Sequence, residues 1–274
     1  MSSARLAVMG NPVEHSLSPD IHQQFGEMTG IELSYEKILV PEGKFSAVAA
    51  EFMQSGTGFN ITVPCKHDAW QFVDEASDKA NLARAANTVS RAEDGRLMGN
   101  TTDGGGLIRD ITGNLDWGIA GRRVLVIGAG GAVSGVLSDL LAEDPVCIHL
   151  YNRTTSKAAE LGERFGDHRL SAAIAGDLET GYDLVINGTS AGLSGDDVDL
   201  PGKIISDDTR CYDMIYGPGI TRFNSWCRDR AACEVSDGLG MLVEQAALAF
   251  EIWFGVLPST APVIESMRAS LDAS

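Results

Sequence analysis

Three polar groupings stand out of an otherwise apolar chain, and their residue types suit acid–base work on a small anionic molecule. Asn60-Ile-Thr62-Val-Pro-Cys-Lys66 places Asn60, Thr62 and Pro64 on one face of a strand, with a lysine just past its end. His15-Ser16-Leu17-Ser18 follows a Gly10-Asn11-Pro12 turn. It offers two hydroxyls at i and i+2 at a loop-to-helix junction, where helix N–H groups help to hold a carboxylate. Asn87, Asp103 and Gln245 make the third set. A carboxylate at Asp103 beside Lys66 would keep the ammonium charged and aimed. Such a pair can pass a proton to or from an alcohol oxygen while hydride moves at the adjacent carbon. Taken singly, Ser18 reads as a helix cap and Lys66 as a solvated lysine at a helix start. Ser16 has no nucleophile elbow around it, Cys65 reads as an idle thiol, and no residue type suggests a metal site.

The elements that must position these groups centre on Arg123-Val-Leu-Val-Ile-Gly128, an apolar run rich in β-branched residues that predicts a strand buried on both faces. Gly128-Ala129-Gly130-Gly131-Ala132 follows at once, then a helix over Val133 to Leu141 and a second strand over Val146 to Tyr151. Strand, glycine turn and helix in that order make a phosphate cradle, because the glycines allow a tight turn and the helix N-terminus offers free N–H groups. An NAD site places an acid about 20 residues past the glycines to hold the ribose 2′-OH. Here, 24 residues past Gly128, the chain reads Asn152-Arg153-Thr154-Thr155-Ser156-Lys157. No carboxylate repels a 2′-phosphate, and Arg153 and Lys157 can pair with one. The pattern therefore reads as NADP binding, against the plainer view that both cations are solvated surface charges. Val133 falls in the third glycine slot, where its bulk opposes close helix–strand packing.

The remaining chain alternates strand and helix. Ser18-Pro19-Asp20 predicts a helix with Ser18 as N-cap, closed by Gly30. Leu33–Leu39, Phe59–Pro64 and Asn87–Val89 read as strands, and Phe45–Met53 as a helix. The glycines of Thr102-Asp-Gly-Gly-Gly106 suggest a hinge into the second layer. Asp183–Asn187, Arg210–Tyr216 and Val235–Asp237 read as further strands, with the polar turn Gly188-Thr189-Ser190-Ala191-Gly192 after the first. Met241–Phe254 is a helix apolar on more than one face and hence well buried. A last helix near 262–271 completes an α/β fold of two layers, with the C-terminal helices packed back on the first.

The chain has 274 residues, enough for two modest domains, and its net charge of −17 repels nucleic acid and anionic membranes at long range. No apolar run approaches the ~20 residues of a membrane span, and the N-terminus is too short and too quickly polar for a signal peptide and reads instead as a first strand over Leu6 to Met9. Five scattered cysteines without a C-x-x-C pair point to a reducing cytoplasm.

Gly10-Asn-Pro-Val-Glu-His-Ser-Leu-Ser-Pro-Asp-Ile-His22, Asn60-Ile-Thr-Val-Pro-Cys-Lys66, Ala86-Asn-Thr88, Thr102-Asp-Gly104, Gly128-Ala-Gly-Gly-Ala132, Asn152-Arg-Thr154, Tyr212-Asp-Met-Ile-Tyr216 and Asp237-Gly-Leu-Gly-Met-Leu242 occur in order and nearly end to end. On these the chain resembles the shikimate dehydrogenase family. The resemblance implies NADPH-dependent, reversible reduction of 3-dehydroshikimate to shikimate, in aromatic amino-acid biosynthesis, by a monomer or homodimer that handles small molecules only. It implies a substrate domain of residues 1–102 plus 238–274 and an inserted Rossmann-type NADP domain of residues 103–237. Carried over by position, Lys66 and Asp103 would be the catalytic pair. Ser16 and Ser18 would hold the substrate carboxylate with Tyr216 nearby, and Thr62, Asn87 and Gln245 the ring hydroxyls. Gly128, Ala129, Gly130, Gly131 and Ala132 would cradle the pyrophosphate, with Thr189 beside it. Asn152, Arg153, Thr154 and Lys157 would hold the 2′-phosphate, and Met214 and Gly238 would lie by the nicotinamide. The chain departs from the family where Asn100-Thr101 precede Thr102-Asp103 and at Val133. Two other readings are a quinate/shikimate dehydrogenase with relaxed cofactor use and a non-catalytic NADP sensor. The Asn-Arg-Thr turn and the Ser18/Thr62 pair lean against the first, and retention of both Lys66 and Asp103 against the second.

Overall fold

Two six-stranded sheets carry the chain, and they differ in kind. The computed structural model describes residues 3–178, 180–189 and 200–273. The first sheet is mixed. It contains β1 (Ala4–Gly10), β2 (Leu33–Leu39), β3 (Gly58–Ile61), β4 (Glu75–Ala76), β5 (Thr88–Arg91) and β6 (Leu97–Asn100), in the order β2-β1-β3-β5-β6-β4. β1 runs parallel to β2 and β3, whereas β5 is antiparallel to β3 and β6. Its helices are α1 (Ser18–Thr29), α2 (Phe45–Phe52), α3 (Lys66–Phe72) and α4 (Asp78–Ala83). Gly30 closes α1 in the left-handed region at φ 72°. The start of α1 differs from expectation. Leu17 takes the cap position without a side-chain cap and Ser18 is the first helical residue, so the Ser18 hydroxyl is not spent on capping.

The second sheet is wholly parallel. Its strands are β7 (Arg123–Ile127), β8 (Cys147–Tyr151), β9 (Leu170–Ala173), β10 (Leu184–Asn187), β11 (Arg210–Asp213) and β12 (Glu234–Asp237), in the order β12-β11-β10-β7-β8-β9. This is the doubly wound order, with its switch point between β7 and β10, where such sheets bind ligands. The unbroken apolar run of β7 now has a cause. Val124 and Val126 pack with Val136, Leu137 and Leu140 of α6 (Gly131–Ala142). Leu125 and Ile127 face the opposite core with Tyr182, Phe223 and Cys227. The layer also holds α7 (Thr155–Phe165) and α8 (Arg222–Arg228). β11 stops at Asp213, three residues short of the predicted strand, so Met214 to Tyr216 lie beyond its end.

The expected glycine hinge after Thr102 is instead a helix, α5 (Asp103–Ile108), which runs on into a single π turn over Arg109–Asn114. Its glycines serve close packing. A Cβ on Gly104 would stand 2.2 Å from Asp139 Oδ2 of α6, and one on Gly106 would stand 2.6 Å from Gln245 Cβ. Gln245 belongs to α9 (Leu239–Phe254), so α5 is wedged between helices of both layers. The other side of α9 places Val243, Ala246 and Phe250 against Ile21 and Phe25 of α1 and Val263 and Met267 of α10 (Ala261–Asp272). Each such large side chain contributes roughly 1.5–3 kcal/mol through burial. Met241 meets Leu107 and Ile111 in the core of the second layer, which explains why α9 is apolar on more than one face. Among the described residues no helix is long and apolar enough to cross a membrane.

Candidate active site

Strand ends and helix starts from both layers converge on a cavity of about 500 Å³. Lys66 opens α3, Asp103 opens α5, Asn87 precedes β5, and Gln245 sits two turns into α9. Lys66 Nζ donates to Asp103 Oδ2 at 2.5 Å. Asn87 Nδ2 donates to Asp103 Oδ1 at 2.8 Å, so both carboxylate oxygens are held. The same amide reaches Thr102 Oγ1 at 2.9 Å and Gln245 Oε1 at 3.2 Å, while the Thr102 N–H donates to Asn87 Oδ1 at 2.8 Å. Asp103 and Asn87 are buried and Lys66 is half-buried, so the charges meet where water screens them poorly. Taking two charges from water is costly, and an ion pair kept here argues for use rather than stability.

The two serines line the same cavity as this pair. Ser16 Oγ donates to Ser18 Oγ at 3.1 Å, with Ser18 buried at the start of α1. Thr62 and Tyr216 also line the cavity, and burial pushes the Tyr216 phenol above its usual range. Asn60 of β3 joins them in the wall, as its place in the first polar grouping suggested, whereas β3 ends at Ile61 and leaves Thr62 just past the strand. Thr88 and Thr102 were missed altogether. Each adjoins a site residue in sequence, which is too common to serve as a signal.

The glycine turn enters the same cavity. Gly128 takes φ 116°, which only glycine adopts readily, and its N–H donates to the Tyr151 carbonyl at 2.7 Å. Gly130 caps α6, and a Cβ on Gly130 or Gly131 would meet no atom within 4 Å. Gly130, Gly131 and Ala132 line the cavity at the N-terminus of α6, where helix N–H groups lack intrahelical partners, and this fits a pyrophosphate. The bulk of Val133 is accommodated by Gly188. A Cβ there would stand 2.4 Å from Val133 Cγ2, so a missing side chain on β10's exit makes the room that a third glycine would have made on α6. Thr189 is held by Asn187 Oδ1, at 3.2 Å from its N–H and 2.8 Å from its hydroxyl. Ser190, Ala191 and Gly192 of the predicted turn lie outside the described residues. Gly238 packs on Met214, whose carbonyl oxygen would stand 2.4 Å from a Cβ at 238.

Ser16, Ser18, Thr62, Lys66, Asn87, Asp103, Tyr216 and Gln245 therefore share one cavity with Gly130, Gly131, Ala132, Thr189, Met214 and Gly238. Gly128 and Ala129 lie behind it. Asn152, Arg153, Thr154 and Lys157 stand outside, between the end of β8 and the first turn of α7. Asn152 Nδ2 donates to the Thr154 carbonyl at 2.8 Å. Arg153 and Lys157 are exposed and have no ion pair among the described residues, so both remain available to a phosphate.

A doubly wound sheet whose glycine turn opens beside a lysine–aspartate pair, with a second α/β layer across the cleft, defines a Rossmann-type oxidoreductase. Comparison with known proteins narrows the class. Residues 8–89 match the shikimate dehydrogenase substrate binding domain, residues 110–194 match shikimate / quinate 5-dehydrogenase, and residues 238–268 match the shikimate 5′-dehydrogenase C-terminal domain. The chain is 52% identical over 266 residues to shikimate dehydrogenase (NADP(+)) of Alkalilimnicola ehrlichii, covering 96% of this chain and 98% of that one. It superposes on an Ael1 enzyme from Pseudomonas putida with a TM-score of 0.91 at 40% identity, covering 96% and 98% of the two chains. Shikimate 5-dehydrogenase from Thermus thermophilus, solved in complex with NADP(H) and shikimate, gives a TM-score of 0.88 at 34% identity over 98% of this chain and 100% of that one. The chain belongs to the shikimate dehydrogenase family.

Proposed function

We propose that this protein catalyses the NADPH-dependent, reversible reduction of 3-dehydroshikimate to shikimate. The observation that carries the reading is the Lys66–Asp103 pair, closed at 2.5 Å in the cavity that also takes in the glycine turn and the two serines. When bound, NADPH supplies the hydride. Lys66 meets the negative charge that grows on the ketone oxygen and gives it a proton; in the reverse direction Lys66 Nζ accepts that proton. Asp103 Oδ2 accepts from the ammonium and aims it. Ser16 and Ser18, beside the start of α1, take the substrate carboxylate with Tyr216 near it. Thr62, Asn87 and Gln245 take the ring hydroxyls.

The free amides of Gly130, Gly131 and Ala132 suit the pyrophosphate, Gly128 and Ala129 shape the turn behind them, and Thr189 closes the other side. Met214 and Gly238 would flank the nicotinamide. Asn152, Arg153, Thr154 and Lys157 would take the 2′-phosphate, the choice that favours NADP over NAD. The reading divides the chain into a substrate domain of residues 1–102 plus 238–274 and an inserted cofactor domain of residues 103–237. The packing of α9 and α10 on α1 supports that division. All five cysteines are free, in keeping with a reducing cytoplasm.

The test is the absorbance of NADPH formed from NADP and shikimate, run beside quinate and NAD. Strong preference for the first pair is expected. Equal rates with quinate and NAD would overturn the substrate and cofactor assignment. Deleting residues 238–274 tests the domain division. It uncovers Ile21 and Phe25 and should give a chain that aggregates or fails to bind shikimate, whereas a soluble truncation of normal shikimate affinity would contradict the division.

A further inference from the structure

A row of hydrogen-bonded polar side chains leads into the site, and two of its members, Tyr35 and Thr88, have no part in the reaction outlined above. The Tyr35 phenol donates to Asn60 Oδ1 at 2.8 Å. Asn60 Nδ2 donates to Thr88 Oγ1 at 3.0 Å and to the Asn87 carbonyl at 3.2 Å. The Thr88 hydroxyl donates to Asn87 Oδ1 at 3.0 Å. Asn87 then donates to Asp103 Oδ1 at 2.8 Å, opposite the oxygen that Lys66 holds.

Backbone groups fix the sense of every bond in this row. The Asn87 carbonyl can only accept, so Asn60 turns its NH₂ toward it and its oxygen toward Tyr35. The Thr102 N–H can only donate, so Asn87 offers it Oδ1 and leaves its NH₂ for Asp103. Thr88 receives from Asn60 and must therefore donate to Asn87. Asn60, Thr88 and Asn87 are 5%, 0% and 2% exposed, so a lost partner leaves a buried polar group at a cost. At the far end the Ser18 hydroxyl lies beside the Tyr35 phenol, and the buried His22 ring stacks on Tyr35 at 4.6 Å and 8°.

We infer that Tyr35 and Thr88 are positioning residues of the reaction: one directed row of hydrogen bonds ties the Ser18 end of the substrate cavity to the Asn87 amide that holds Asp103. The inference rests on the roles given above to Ser18, Lys66 and Asp103. Thr88 fixes how firmly Asn87 presents its NH₂, and so acts on kcat. Tyr35 borders Ser18 and orients Asn60 in the wall, and so acts on the KM for shikimate as well. Neither residue lines the cavity, and neither lies on the cofactor turn.

The test uses the full-length enzyme and the variants Thr88→Val, Thr88→Ser and Tyr35→Phe, with kcat, both KM values and Tm measured for each. Valine keeps the shape of threonine and removes the hydroxyl, and serine restores it. Thr88→Val is expected to lower kcat about tenfold, the size of one lost buried hydrogen bond. Thr88→Ser should stay within about twofold of wild type, and Tyr35→Phe should raise the KM for shikimate several-fold. The KM for NADP should hold in all three. A Thr88→Val enzyme with reduced Tm but wild-type kcat would overturn the inference, as would equal losses for Val and Ser. If Thr88→Val does not fold, Tyr35→Phe decides, and unchanged kcat and shikimate KM there would overturn it. A wild type that forms no NADPH from shikimate would overturn the functional reading and this inference together, whereas an active wild type beside unaffected variants would overturn this inference alone.

Discussion

Gly135 of α6 lies directly against Asp103: a Cβ at position 135 would stand 3.3 Å from Asp103 Oδ2 and 3.3 Å from Thr101 Oγ1. The helix whose first turn is proposed to hold the cofactor therefore also backs the proposed catalytic carboxylate. Four residues on, Asp139 of the same helix sits over Gly104 and takes Lys79 Nζ at 2.5 Å from α4. Ser134 donates to the Ala83 carbonyl at 2.8 Å, so α6 is tied to the first layer on both sides of Gly135.

This contact predicts a graded response at position 135. Alanine adds one methyl at the limit of contact and should be tolerated. Valine adds two more, and overpacking of this kind costs about 1–3 kcal/mol. Where that strain moves Asp103 off Lys66, kcat should fall about tenfold or more. Steady-state kinetics of Gly135→Ala and Gly135→Val check this, and two variants of equal kcat would show that Asp103 does not depend on this contact.

Cofactor choice is predicted to rest on Arg153, exposed at the end of β8 and without an ion pair among the described residues. A charge-assisted hydrogen bond is worth about 1.5–3 kcal/mol, or about tenfold to over a hundredfold in affinity. Arg153→Ala should raise the KM for NADP by about that factor and change the KM for NAD much less. Equal losses for both cofactors would assign the 2′-phosphate elsewhere.

Much of this was legible in the sequence because it is local. The β7 run, the glycine turn and the Asn152-Arg-Thr154 end of β8 lie within about thirty residues, and periodicity and residue type define them. What stayed illegible depends on partners remote in the chain. Gly104 and Gly106 looked like a hinge, since sequence cannot distinguish a glycine chosen for freedom from one chosen for its missing Cβ. The partners that decide, Asp139 and Gln245, come much later in the chain. The room that Gly188 makes for Val133 was hidden for the same reason. The Asn60–Thr88 bond depends on the antiparallel register of β3 and β5, which pairs those two residues across the strands and which no single strand encodes.

Stability is predicted to fall on mild acidification, in part through His22. Burial, opposed by Asn60 beside it, pulls the imidazole from 6.5 to about 3. Between those values the unfolded chain binds the proton and the folded chain does not. This contribution is complete above pH 6.5 and is lost as pH falls, at up to about 1.4 kcal/mol per pH unit. From pH 7 to pH 5 the loss from this residue should be about 2 kcal/mol. Urea unfolding of wild type and His22→Leu at both pH values measures it, and the variant should lose less stability over the interval. Parallel losses would show that His22 does not titrate on unfolding as described.

The most direct test of the account is kcat of Lys66→Met. Methionine keeps much of the lysine stem and removes the ammonium that faces Asp103 at 2.5 Å. Positioned proton transfer contributes about 10²–10⁴-fold. The variant should lose kcat by about that range, while the KM for shikimate changes only several-fold, because the proposed binding residues Ser16, Ser18, Asn87 and Gln245 are left in place. Asp103→Asn should also lower kcat, and the double variant should be little worse than the worse single one, since the pair acts as a unit. A Lys66→Met enzyme with wild-type kcat and a raised KM alone would contradict the account, making Lys66 a binding residue and leaving the proton donor to another group.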